Sequence, residues 1–254
     1  MIKNIVSCGC SWMYGSGCYF RHKEKLSALF AKKYNAEDIN LAKEGGSNDR
    51  SVRKITNWIV ENKDRLDETL FLIGVTEPQR FEIWSPGPVS VKTIDISDNT
   101  DEESVNLTFS TKHPPFTKVK GSYYRIDCLI QDTMGVWIKE SIERTLREIF
   151  ILTTLFEKYN CKYLIFDSMD NIKEITRRKD KYFDEVFNNK NYYSKESWAE
   201  VCSPKDKGLF AAEDERLVIR EGEDYSPDWG HPSAKGNQKW FEVLTNYAEE
   251  NKLW

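Results

Sequence analysis

The chain has 254 residues, 39% hydrophobic, 31% charged and 13% aromatic, with acidic and basic residues well mixed to a formal net charge of −4. That balance argues against a nucleic-acid partner, and no apolar stretch approaches the ~20 residues that span a bilayer, so no membrane partner is expected. The length fits one large domain, residues 1–254, better than two, and allows a sizeable core.

Read in order, "IKNIVSCG" (2–9) is a short apolar run ending in glycine and predicts a buried strand. It lacks the cleavage-site pattern of a signal peptide. "FRHKEKLSALFAKKYN" (20–35) places Leu26, Leu29 and Phe30 at helical spacing among charges, an amphipathic helix. "DINLA" (38–42) predicts a second strand, and Ser47 or Asn48 can cap a helix whose Val52, Ile55 and Ile59 share one face. "ETLFLIGVT" (68–76) is near-continuously apolar, as a parallel strand buried on both faces must be.

Residues 81–135 are broken by "PGP" and "HPP" and read as an insertion, with "VSVKTIDI" suggesting a hairpin. The longest predicted helix covers 136–160, with Ile138, Ile142, Leu146, Ile149, Thr153 and Phe156 inward. "CKYLIFDS" (161–168) is another buried strand, and 170–225 is polar with helical pieces at "KYFDEVF" and "SWAEV". Ser233 can cap a final helix over 233–251 striped by Trp240, Leu244 and Tyr247. This alternation predicts an α/β fold: a three-layer α/β/α sandwich around a central parallel sheet. Ligands in such sheets bind beyond the carboxyl ends of the strands, where Ser11, Gly45 and Thr76 fall.

The stretch "IVSCGCSWMYGSG" (5–17) runs the first strand into a glycine-bracketed turn that can present the Ser11 hydroxyl. A serine nucleophile needs a base, and the base usually needs an orienting group. Of the three histidines, His22, His113 and His231, the last lies in "SPDWGHPSAKG" (226–236), three residues after Asp228 and between Pro227 and Pro232. In a tight turn that spacing lets the Asp228 carboxylate meet the imidazole Nδ1–H and leaves Nε2 for Ser11. The backbone N–H groups of Ser11 and Gly45 are candidate donors to a developing oxyanion, with Gly46 the neighbouring alternative.

Cysteines stand at 8, 10, 18, 128, 161 and 202, and a chain of this size does not need them as staples, which suggests a reducing compartment. Cys8, Cys10, Cys18 and His22 could form a zinc set, but the spacing departs from CxxC knuckles. Cys8 and Cys10 are expected on one core-facing side of the first strand, so no metal is expected. Trp12, Tyr14, Trp84, Trp198 and Trp229 flank the proposed site segments and could stack on sugar rings.

At these residues the chain resembles the SGNH, or GDSL-type, serine hydrolases. Their first block, Gly-Asp-Ser after the first strand, matches Gly9-Cys10-Ser11. Their second, an asparagine followed by an oxyanion glycine, matches Asn40 and Gly45 in "NLAKEGGSN". Their Asp-x-x-His block matches Asp228-Trp229-Gly230-His231. "GCSWMYG" and "GGSN" are similar to variants in bacteriophage-encoded members. Cys10 replaces an aspartate that is structural in the family. The third block, Gly-x-Asn-Asp, reads Gly74-Val75-Thr76-Glu77, so Thr76 stands where the family has an oxyanion asparagine; Arg80 could substitute and attract an anionic substrate.

The resemblance implies a flavodoxin-like SGNH fold and a cofactor-free esterase. Its catalytic residues would be Ser11, Asp228 and His231, and its oxyanion or substrate-binding residues Gly45, Thr76 and Arg80. The expected substrate is a small O-acyl ester, such as an acetylated carbohydrate, in the cytoplasm of the producing cell or at a virion if phage-encoded. Two alternatives stand beside it: acyl transfer to a sugar, and a non-catalytic carbohydrate-binding or structural module that kept the fold.

Overall fold

The structure, a computed structural model, describes residues 1–78, 80–84, 104–107, 123–169, 171–176, 182–202 and 231–254, with 81–84, 104–107 and 123–138 described by their backbone alone. Five strands form one parallel sheet: β1 (Asn4–Cys8), β2 (Glu37–Asn40), β3 (Thr69–Val75), β6 (Lys162–Asp167) and β7 (Tyr192–Tyr193), in the order β2-β1-β3-β6-β7. This is the doubly wound order in which the chain reverses its direction of travel between β1 and β3, leaving a crevice at their carboxyl ends. A separate antiparallel pair joins β4 (Phe81–Trp84) to β5 (Ser104–Leu107).

The alternation of side chains along β3 divides the core in two. Leu70 and Leu72 pack with Leu26 and Phe30 of α3 (Leu26–Tyr34) and with Trp240 and Leu244 of α9 (Ala234–Glu250). Phe71 and Ile73 pack on the other face, with Ile55 and Ile59 of α4 (Asn48–Glu61) and with Leu146, Ile149 and Phe156 of α5 (Tyr123–Lys158). Successive strand residues point to opposite faces, so an apolar run buries both at once. The expected helix–sheet–helix layering is what forms.

Local signals set the helix ends. Ser47 caps α4 by accepting a hydrogen bond from Arg50 N, and Ser233 caps α9 by accepting one from Gly236 N. The helix expected over 20–35 is instead two: α2 (Arg21–Glu24) and α3, parted at Lys25, whose backbone is extended (ψ 155°). The first turn buries none of its residues, so no apolar stripe holds it in line with α3. α5 begins at Tyr123, inside the segment expected to be an insertion, and is 36 residues long. The polar stretch after β6 holds α6 (Ile172–Ile175), α7 (Phe183–Phe187), β7 and α8 (Trp198–Val201). α7 and α8 match the two helical pieces expected there, whereas α6 and β7 are too short for periodicity to reveal. The hairpin expected at "VSVKTIDI" (89–96) lies outside the described residues.

Two other expectations are corrected. Cys8 and Cys10 do not share a face: Cys8 packs with the α4/α5 core and Cys10 with the α3/α9 core, because the strand ends at Cys8 and the chain turns at Gly9. No group of three or more metal-ligating side chains occurs among the described residues. Trp12 and Trp198 are core residues, packed edge-to-face with centroids 5.6 Å apart, and offer no face to a sugar. Cys8, Cys10, Cys18, Cys161 and Cys202 form no disulfide. No helix among the described residues is long and apolar enough to cross a membrane.

Candidate active site

Ser11 opens α1 (Ser11–Tyr14), one turn that starts three residues past the end of β1 and closes on Gly15 in the left-handed conformation. Its N–H therefore belongs to the first turn, whose amides find no acceptor within the helix. The Ser11 side chain is buried at the sheet's carboxyl rim. From 220 positions along the chain, His231 brings Nε2 to 2.7 Å from Ser11 Oγ. The serine hydroxyl donates to Nε2 when the ring carries its proton on Nδ1. Asp228, expected to orient that nitrogen, lies outside the described residues.

Several contacts fix the two halves of this pair. Asn40, at the end of β2, donates from Nδ2 to the Met13 carbonyl (2.8 Å) and accepts from Ala42 N (2.9 Å), tying α1 to the loop that carries Gly45. Ser16 Oγ donates to Glu44 Oε1, next to Gly45, at 2.5 Å. Gly45 has φ 67°, a left-handed conformation that β-carbon-bearing residues adopt only with strain. Gly46 does different work: a Cβ there would stand 2.7 Å from the Gly9 carbonyl oxygen, so its bare backbone lets the loop lie against the turn before Ser11. Gly17 does the same on the histidine side, where a Cβ would stand 2.3 Å from the Pro232 oxygen.

Thr76 and Arg80 lie on the segment leaving β3, beside β1, with Cys8 in register with Ile73. The Thr76 N–H donates to Asn48 Oδ1 and its carbonyl accepts from Asn48 Nδ2, so its peptide is occupied; its Oγ1 lies 3.9 Å from the Met169 sulfur. Arg80 is buried, donating from Nε to Glu77 Oε2 (3.2 Å) and from Nη2 to Met169 Sδ (3.6 Å). Arg144 of α5 braces this segment by donating to the Pro78 and Arg80 carbonyls.

Among the described residues the structure thus brings Ser11 and His231 into direct contact and sets Gly45 in the loop pinned to the Ser11 turn. It places Thr76 and Arg80 at the end of the neighbouring strand. Cys18 lies close to the histidine loop, but burial, with the nearby Glu24 carboxylate, pushes its thiol up to about 12. It stays protonated and is no rival nucleophile.

Sequence reasoning missed the residues that hold the site. By its place in the sequence Asn48 is only a cap candidate, yet its amide grips Thr76. Asn237 belongs to no motif, and its one signal in the sequence is a polar residue on the stripe of Trp240 and Leu244.

Residues 16–192 match the model of a family of unknown function, DUF6071, a span that holds Gly45, Thr76 and Arg80 but neither Ser11 nor His231. No curated protein matches the sequence. Three solved structures are similar to the chain. TesA is 10% identical, covering 98% of this chain and 99% of that one, with a TM-score of 0.46. The psychrotrophic esterase EstA from Pseudoalteromonas sp., in a structure inhibited by monoethylphosphonate, is 9% identical over 97% and 99%, with a TM-score of 0.44. A protein assigned to the lipolytic G-D-S-L family, from Desulfitobacterium hafniense DCB-2, is 11% identical over 98% and 99%, with a TM-score of 0.42.

Proposed function

The chain belongs to this family of unknown function, DUF6071, and from its own residues we propose that it is a serine ester hydrolase. One observation carries the reading: Ser11 Oγ lies 2.7 Å from His231 Nε2 at the carboxyl rim of a doubly wound sheet. A serine at that distance from an imidazole has a base within reach of its proton.

In this reading the Ser11 hydroxyl attacks the acyl carbon of the ester as Nε2 of His231 accepts its proton. The carbonyl oxygen becomes an oxyanion that takes hydrogen bonds from the N–H groups of Ser11 and Gly45 and from the Thr76 hydroxyl. The imidazolium returns the proton to the leaving alcohol. Water, deprotonated by the same nitrogen, then attacks the acyl-serine, and Ser11 is regenerated as the acid departs. Asp228 would orient the ring, and Arg80 would add positive charge at the rim for an anionic substrate. Each step uses groups of the chain itself, so the reaction calls for no cofactor.

The acyl group we propose is small, an acetyl, carried by a carbohydrate or similar alcohol. Its support is the aromatic composition of the chain; Trp12 and Trp198, being buried, do not contribute to it. A phage origin and a virion location rest on the stretches "GCSWMYG" and "GGSN" alone. A second reading, a non-catalytic module on the same fold, is favoured by one observation: Thr76 offers a short hydroxyl, facing a thioether, where the resembled family has an asparagine amide.

A fluorophosphonate probe separates the two. The hydrolase labels at Ser11 and cleaves an aryl acetate, and Ser11→Ala abolishes both. Full aryl acetate hydrolysis by Ser11→Ala would sink the mechanism.

A further inference from the structure

The loop carrying His231 is held by one buried side chain that the reaction itself does not use. Asn237, on the second turn of α9, shares its two Nδ2 hydrogens among the Ser233 carbonyl (3.0 Å), the Pro232 carbonyl (3.3 Å) and Cys18 Sγ (3.1 Å). Two of these acceptors belong to the residues directly after His231. The third belongs to the segment that follows α1, and so to the chain leaving Ser11. The amide cannot be reversed, because its oxygen would then face two carbonyl oxygens.

Asn237 is a poor choice for stability alone. It is 1% exposed and lies on the same stripe of α9 as Trp240 and Leu244, where an apolar side chain would fill the core. Its Oδ1 is buried without a hydrogen-bond partner among the described residues. An unpartnered buried carbonyl is a cost that an apolar residue avoids. What the amide supplies is a donor that joins the histidine loop to the nucleophile's segment. Gly17 bounds the loop from the other side: a Cβ there would stand 2.3 Å from the Pro232 oxygen and 3.0 Å from the His231 carbonyl carbon. The backbone after the imidazole is thus pressed against Gly17 and drawn in by Asn237.

We propose that Asn237 is the positioning residue of His231, its amide fixing the Pro232–Ser233 backbone so that Nε2 stays within hydrogen-bond range of Ser11 Oγ. The proposal rests on reading Ser11 and His231 as nucleophile and base. Catalytic geometry is sensitive at this scale: a misplacement of about 1 Å can cost on the order of 100-fold in rate.

The test compares the full-length wild type with Asn237→Ala and Asn237→Ser, each at a temperature well below its own melting point. The rate of fluorophosphonate labelling at Ser11 is expected to fall about tenfold or more in Asn237→Ala, with kcat on an aryl acetate falling alongside and KM unchanged. Asn237→Ser, which keeps one donor, recovers part of the loss. A purely structural role lowers the melting temperature but leaves the folded protein labelling at the wild-type rate, and that result overturns the proposal. Should Asn237→Ala fail to fold, Asn237→Ser decides alone: labelling several-fold slower than wild type supports the proposal, and labelling at the wild-type rate overturns it. If the wild type does not label at all, the hydrolase reading falls, and the ring's position is read instead by NMR. A nuclear Overhauser contact between the Ser11 Hβ and His231 Hε1 protons, present in the wild type and lost in Asn237→Ala, supports positioning; its persistence overturns it.

Discussion

Asn48 holds the Thr76 peptide on both of its polar sides: Thr76 N donates to Asn48 Oδ1 at 2.9 Å, and Asn48 Nδ2 donates to the Thr76 carbonyl at 3.2 Å. The same Nδ2 reaches Thr145 Oγ1 of α5 at 3.3 Å. One side chain at the start of α4 thereby joins the end of β3 to the helix packed over it. All three partners are buried, so removing the amide strands polar groups in the core. Asn48→Ala is expected to lower stability by about 1–3 kcal/mol, the usual cost of leaving buried groups unpartnered. Denaturant unfolding followed by circular dichroism measures it, and a loss under about 0.5 kcal/mol would contradict the role.

With its peptide held this way, Thr76 has only its hydroxyl left to offer a substrate. That hydroxyl has a weak acceptor, the Met169 sulfur at 3.9 Å, so the fold gains little from it. Thr76→Val keeps the shape and removes the donor. If the hydroxyl stabilises the oxyanion, kcat on an aryl acetate falls by about 100-fold or more, while KM and the melting temperature change little. A variant with unchanged kcat would leave the oxyanion to the backbone amides of Ser11 and Gly45.

Glu148 of α5 gives the fold a pH dependence of its own. Burial, a hydrogen bond that the protonated carboxyl donates to Asp49 and the Asp49 charge raise it to about 9, against the lowering effect of Arg144. The folded protein therefore holds a proton there that the unfolded chain has released above its ordinary carboxylate range. Between about pH 4.5 and 9 the folded state binds more protons than the unfolded one, so stability falls as pH rises through that window. Glu148→Gln mimics the protonated form. Its stability relative to wild type is expected to grow steadily from pH 5 to pH 9, exceeding about 1 kcal/mol at the alkaline end. Melting curves across that range check the sign; a gap that stays constant with pH would refute it.

The amino-acid order by itself determined the layers and the rim, and it pointed to Ser11 and His231 as candidates. The runs at β3 and β6 are apolar on both faces, which only a strand covered on both sides satisfies. Ser47 and Ser233 cap the helices they precede, since a cap is decided within four residues. Ser11 and His231 stand out because a hydroxyl in a glycine-bracketed turn and an imidazole between two structural signals are visible locally. Only the tertiary structure decided that these two meet, because α9, which begins just after His231, packs against α3 over the same face of the sheet as the turn that carries Ser11. It also decided what Asn48 and Asn237 do, which face each of Cys8 and Cys10 takes, and that Trp12 and Trp198 fill the core. Periodicity reports whether a side chain turns inward over a few residues. It carries no information about which buried donor meets which acceptor on another element of the chain, and that pairing exists only once the sheet has closed the distance.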